Sequence, residues 1–168
     1  MSSLSTLDLA IKFLAALGCG MMAGVFFAFS TFVMKALAKI PPEAAIPAMQ
    51  SINVYAVRSL FIVAFMGTTL LCLGVVVMGF LQRGQSAAAW WLAAALSYLV
   101  GNFIVTVTFN VPMNNALAAV SSGSPAGAAY WHFYLERWTF WNHVRTLTAL
   151  VALALFIVAF RLSAIAEK

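Results

Sequence analysis

Charge is scarce in this chain, and negative charge is scarcest: 4 Asp and Glu face 9 Lys and Arg, and charged residues make up only 8% of 168 positions. Soluble domains carry roughly 25%. With 64% of residues hydrophobic, a water-soluble globule of this length cannot hide its apolar surface, so the solvent is lipid. The net charge of +5 is spread thinly. No Lys/Arg cluster is dense enough for a nucleic-acid surface or a polybasic lipid tether, which excludes nucleic acid as a partner.

Cysteine is equally sparse. Cys19 and Cys72 sit in the middle of apolar runs, where two isolated thiols provide neither a disulfide framework nor metal-ligand spacing. Ala16-Leu17-Gly18-Cys19 resembles a lipoprotein cleavage box, but the apolar run continues for fifteen residues after the cysteine, where a signal's hydrophobic region should already have ended. The segment reads as a retained span. Dinucleotide fingerprints are missing as well.

Long apolar runs are abundant. The expected architecture is all-α: one integral membrane domain over residues 1–168, a four-helix transmembrane bundle with spans near 7–34, 59–81, 87–111 and 140–162, and short interfacial helices between spans 1 and 2 and between spans 3 and 4. The charge-free part of span 1, Phe13 to Met34, is 22 residues, or about 33 Å of helix. Ala16, Gly20, Gly24 and Ala28 recur every four residues along it, a small-residue ridge suited to close helix packing within the bundle or between two copies of the chain. Span 4 is different. Its charge-free stretch, Thr146 to Phe160, is 15 residues, about 22 Å against the roughly 30 Å of a hydrocarbon core. To cross, the helix must draw in the preceding WTFWNHVR, which takes Asn142, His143 and Arg145 to the hydrocarbon edge.

Four spans place both termini on one side, with Lys12, Arg83, Arg161 and Lys168. Lys35, Lys39, Arg58, Arg137 and Arg145 lie on the other. If Arg58 and Arg145 serve a site rather than the surface, four against three puts the termini in the cytoplasm.

Polar residues inside the apolar runs carry the functional signal, because such groups usually face a cavity or each other. On span 3, Tyr98, Asn102, Thr106 and Asn110 follow at intervals of four, a stripe drifting by about 40° per step on an α-helix, with Asn114 continuing it past Pro112. Asn102 and Thr106 read as interhelical glue, worth about 0.6–2 kcal/mol per contact. Asn110 and Asn114, near the mouth, are equally suited to glue or to a ligand. On span 4, Trp131, Tyr134, Trp138, Asn142 and Arg145 form a heptad-like stripe. Trp131 and Trp141 read as interfacial anchors; Trp138 sits one turn from Asn142. Arg145 needs an anion, carbonyls or water, and no acid is clearly placed to neutralise it. Another row, His132, Glu136 and His143, offers metal-binding side chains, but the histidines lie eleven residues apart, about 16 Å, too far for one ion. No metal site is expected. Asn53 and Arg58 before span 2, Asn110 and Asn114 ending span 3, Trp138 to Arg145 beginning span 4, and Ser30 near the end of span 1 all fall on the face opposite the termini. They predict one shared polar pocket, with Asn53, Arg58, Asn110, Asn114, Tyr134 and Trp138 as ligand contacts.

The segments GVFFAFSTFVM, AMQSINVYAVRSLF, VTFNVPMNNAL and W-x-x-Y-x-x-x-W-T-x-W-N-H-V-R, in this order, resemble the anthrone oxygenase-like family of small membrane proteins over about residues 20–155. The resemblance implies oxidation of fused-ring anthrones to anthraquinones, with dioxygen as co-substrate. The enolate of an anthrone is electron-rich enough to react with dioxygen directly, so no flavin or metal cofactor is expected. In that chemistry Arg145 with Asn142, Asn110 or Asn114 would stabilise the oxyanion. His143 would be the base, although it points about 100° from Asn142, and Tyr134 or water is the substitute. The alternative is a non-catalytic binder or transporter of a small amphipathic or anionic molecule held by Arg145 and Arg58. A membrane scaffold with locking amides is the third reading.

Overall fold

The computed structural model describes residues 6–84 and 87–166. Five helices follow one another: α1 Thr6–Leu37, α2 Pro42–Ala56, α3 Leu60–Leu81, α4 Ala88–Ala118 and α5 Pro125–Ala166. All but α2 are long and apolar enough to cross a membrane, which makes this a multi-pass membrane protein. In cyclic order α1, α3, α4 and α5 each pack on two neighbours, α1 and α4 both lying against α5. Large apolar side chains such as Leu60, Leu70, Leu147 and Ile157 are left exposed on the outside. In water they would be a liability; against acyl chains they complete the solvation of the bundle.

The helices between spans differ from expectation on one side. Between α1 and α3 the interfacial helix is present as α2. Pro42 sits in its first turn, where its missing N–H is harmless, and Ala45, Ile46 and Met49 form its buried face. Gln50 ties it to the end of α4, Nε2 donating to the carbonyls of Leu117 at 2.9 Å and Val120 at 3.3 Å. Between α4 and α5 no separate helix stands. Its residues extend α4 to Ala118 and begin α5 at Pro125. Pro112 falls in the first turn after a π-helical segment, so its absent donor does not interrupt α4.

Close packing uses glycines outside the expected ridge. A Cβ on Gly18 would collide with Thr68, and one on Gly101 with Thr148, so these glycines let α1 pack closely on α3 and α4 on α5. The ridge itself is divided. Ala16 is buried and a Cβ on Gly20 would touch Leu153 at 3.4 Å, whereas Gly24 is exposed with open space beside it.

Polar locks hold the two ends of the bundle. Where α1 begins, the buried Lys12 Nζ donates to Gln82 Oε1 at 3.0 Å and lies 4.9 Å from the Trp91 ring centroid. Gln82 Nε2 in turn donates to Asp8 Oδ2 at 2.7 Å. At the other end, α3 parts from α4 beyond Thr106, and the gap is the cavity described next.

Candidate functional site

Three π-helical segments interrupt the spans: Phe29–Val33 in α1, and Leu99–Ile104 and Thr106–Asn110 in α4. Such widened turns are uncommon and cluster at functional sites. Here they have a direct geometric use. Residues four apart drift by about 40° on an α-helix, but an i→i+5 turn holds more than four residues and turns them back. The stripe Tyr98, Asn102, Asn110 therefore stays buried along α4 instead of winding to the lipid side, with Thr106 half-buried in line.

On α5 the stripe Trp131, Tyr134, Trp138, Asn142 and Arg145 is buried throughout. Trp131 is 1% exposed and stacks on Tyr134 at 5.7 Å, which in turn stacks on Trp138 at 5.9 Å. It is thus a core residue and not the interfacial anchor expected, because this face of α5 packs in one cluster with Ala45, Ile46 and Met49 of α2 and with Met34, Leu37 and Leu117.

Asn142 is the hub. Its Nδ2 donates to the Phe26 carbonyl at 2.6 Å and to Ser30 Oγ at 2.7 Å, next to the π turn of α1. Its Oδ1 accepts from Arg145 Nη2 at 2.7 Å. A carbonyl can only accept and a guanidinium can only donate, so these partners dictate the orientation of the amide. Arg145 Nη1 donates to Thr106 Oγ1 at 3.2 Å. The guanidinium carbon lies 4.3 Å from the Phe26 ring centroid and 5.2 Å from that of Trp138, a cation–π clasp on two sides. Asn102 serves as the interhelical glue expected, donating to Thr148 Oγ1 at 3.1 Å. Thr106 does more than glue, since it holds Arg145 at the cavity wall.

The cavity encloses about 470 Å³, within the range of small-molecule sites. Its walls are mostly apolar, with Phe26, Phe29, Met49, Ile62 and Phe65 among them. Arg145, Thr106, Asn110, Asn53 and Asn114 are among the polar lining residues, with Asn114 eight residues after Thr106 toward the end of α4 and Asn53 on the interfacial helix α2. Arg145 is 4% exposed, and no carboxylate lines the cavity or bonds to it among the described residues. Arg145 Nε, Trp138 Nε1 and Asn110 Oδ1 are buried without a hydrogen-bond partner among the described residues. A buried cation on a residue that faces the cavity, with no carboxylate beside it among the described residues, leaves a charge for a guest to satisfy.

Most of the expected residues converge. Asn53, Asn110, Asn114, Trp138 and Arg145 line the cavity; Tyr134 and Asn142 stand behind it, bonded to lining residues. Two expected members stay out. Arg58 is exposed in the turn that ends α2, and His143 is exposed on α5, turned from the cavity as its helical position next to Asn142 dictates. His132 and Glu136 are exposed too. With only Arg145 withdrawn, Lys and Arg are balanced four against four across the bundle, which removes the premise for cytoplasmic termini. Missing from the expected site were Phe26 and the walls supplied by Phe61, Ile62 and Phe65. GVFFAF held a clue, since Phe26 stands one helical turn before Ser30.

A family model for anthrone oxygenase matches residues 52–155. The chain belongs to the anthrone oxygenase family. The matched stretch contains all of the cavity's polar lining: Asn53, Tyr55, Ser59, Thr106, Asn110, Asn114, Trp138 and Arg145. No curated protein and no solved structure matches the chain.

Proposed function

We propose that the cavity binds a small, flat, lipophilic aromatic molecule of the anthrone type in its enolate form and presents it to dioxygen. The observation that carries this reading is Arg145: a buried cation with no carboxylate partner, clasped by aromatic rings at the wall of an apolar cavity. Such a charge favours an anion in the same low-dielectric space. An anthrone has a CH₂ opposite its carbonyl. Loss of one proton gives an enolate whose negative oxygen pairs with Arg145, while the rings fill the phenylalanine-lined space.

The chemistry then balances without another reagent. The enolate carbon adds to dioxygen and forms a C–O bond; a proton converts the resulting peroxide to a hydroperoxide. Loss of the remaining hydrogen on that carbon together with hydroxide yields the second carbonyl and one water. The enolate supplies the electrons, so the reaction as written draws on neither flavin nor metal. With His143 outside the cavity, the first proton leaves to solvent at the mouth, and Arg145 lowers the cost of releasing it by stabilising the oxyanion.

Oxygen uptake by purified, metal-analysed protein given anthrone, compared with Arg145→Met and a protein-free control, tests the reading. Uptake above the control that falls about 10²–10³-fold in a folded variant is expected. Equal uptake in both proteins refutes the role of Arg145. A second reading, a non-catalytic binder or transporter of a small anionic amphiphile, is favoured by a lining that offers neither a carboxylate nor an imidazole. It predicts binding without uptake.

A further inference from the structure

The cavity has a second polar end, and its hydrogen bonds are directional. Tyr134 Oη donates to Asn114 Oδ1 at 2.7 Å and accepts from Asn53 Nδ2 at 3.4 Å. Tyr134 is fully buried, gripped between Trp131 and Trp138, so its hydroxyl is a fixed post. Because the phenol has one proton, given to Asn114, the two amides are set in opposite senses. Asn114 has its oxygen engaged and its NH₂ left over. Asn53 has one N–H engaged and its oxygen left over. Both line the cavity and both are half-buried.

We infer that this pair recognises a hydroxyl on the far end of the bound molecule, its O–H donated to Asn53 Oδ1 and its oxygen accepting from Asn114 Nδ2. A ketone or an ether satisfies only the Asn114 half, and an ammonium only the Asn53 half. A phenolic hydroxyl satisfies both. The inference rests on the reading of the Arg145 end as an anion holder, and it makes the ligand two-ended. Thr106, which holds Arg145, and Asn114 lie eight residues apart on α4, no more than about 12 Å of helix, since the π turn over Thr106–Asn110 rises less per residue than an α-helix. A fused-ring system with a polar atom at each extremity, and a hydrogen bond beyond each, covers that distance. Asn53 and Asn114 are specificity-determining contacts on this account; Tyr134 is a positioning residue that sets which face of each amide meets the ligand.

The test uses three naphthoates: one with a hydroxyl at the far end of the rings, its methyl ether, and the plain acid. Each carries a carboxylate for Arg145, so binding can be read by calorimetry on the intact protein in detergent without any turnover. The wild type is expected to bind the hydroxyl compound at least about tenfold more tightly than the ether, the ether having no proton for Asn53. Asn53→Leu and Tyr134→Phe should each bring that ratio close to one while leaving affinity for the plain acid within about twofold. A merely structural role for Tyr134 would weaken all three ligands alike.

Equal affinity for hydroxyl and ether in the wild type overturns the inference, and this needs no variant to fold. Preference surviving both substitutions overturns it as well, as does failure of all three acids to bind. Oxygen uptake with anthrone in the same preparation reports separately on the proposed oxidation, so loss of one reading is distinguishable from loss of the other.

Discussion

Replacing Asn142 with leucine, which keeps its branched shape without its polar atoms, probes the hub of the site. Three hydrogen bonds disappear: to the Phe26 carbonyl, to Ser30 Oγ and from Arg145 Nη2. The two neutral bonds contribute about 0.6–1.5 kcal/mol each within a membrane bundle, and the bond from the charged guanidinium about 1.5–3. Their sum is about 3–6 kcal/mol, a large part of the stability of a helical bundle of this size. Much of the loss comes from leaving Arg145 buried with fewer partners. Arg145→Met removes the cation together with its need, and an apolar side chain of similar length often costs little at such a position. The double variant should therefore lose less than the two single variants added together, by at least about 1.5 kcal/mol. Unfolding in mixed detergent micelles, followed by far-UV circular dichroism, measures all four corners of this cycle. Strict additivity would refute the hub, because it would mean that Asn142 and Arg145 do not depend on one another.

Other substitutions separate packing from chemistry. Gly101→Ala gains helix propensity of about 1 kcal/mol but drives its methyl into Thr148; a net loss of about 1–3 kcal/mol, read as a lower midpoint in the same assay, is expected, and an unchanged midpoint contradicts the contact. Lys12→Ala strips Gln82 of its donor and Trp91 of its cation at the opposite end of the bundle; a loss of about 1–3 kcal/mol is predicted with ligand affinity at the Arg145 cavity unchanged. His143→Ala should leave anthrone-dependent oxygen uptake within about twofold of wild type, since the imidazole lies outside the cavity; a drop of the size expected of a lost general base, about 10²-fold or more, would return it to the mechanism.

The site was readable from the chain to different depths. Span 4 has too little charge-free length to cross alone, which by itself draws Asn142 and Arg145 inward, and the structure buries both. Heptad-like spacing likewise put Tyr134 and Trp138 on their side. His143 has the chemistry of a base but is the neighbour of a buried asparagine on a helix, about 100° away. Arg58 lies on the membrane face that carries the site, yet in the turn after α2 its neighbours Val57 and Ser59 line the cavity while Arg58 itself is exposed. The role of Trp131 is ambiguous in sequence because interfacial anchoring and core stacking both favour tryptophan at that depth. The π segments were illegible: an i→i+5 turn has no residue signature comparable to proline or glycine. Only the run of polar residues at strict intervals of four, too regular to remain on one face of an α-helix, pointed toward them.

The central claim, that Arg145 selects the ionised form of the bound aromatic, can be tested with oxygen excluded. Anthrone and its enolate differ in visible absorption, so an anaerobic spectral titration reports which form the protein holds. The account predicts that wild-type protein binds the enolate at pH values where free anthrone in the same detergent is still neutral, and that Arg145→Met restores the ionisation to its free value. A neutral bound anthrone in both proteins, ionising at the same pH as the free molecule, would contradict it.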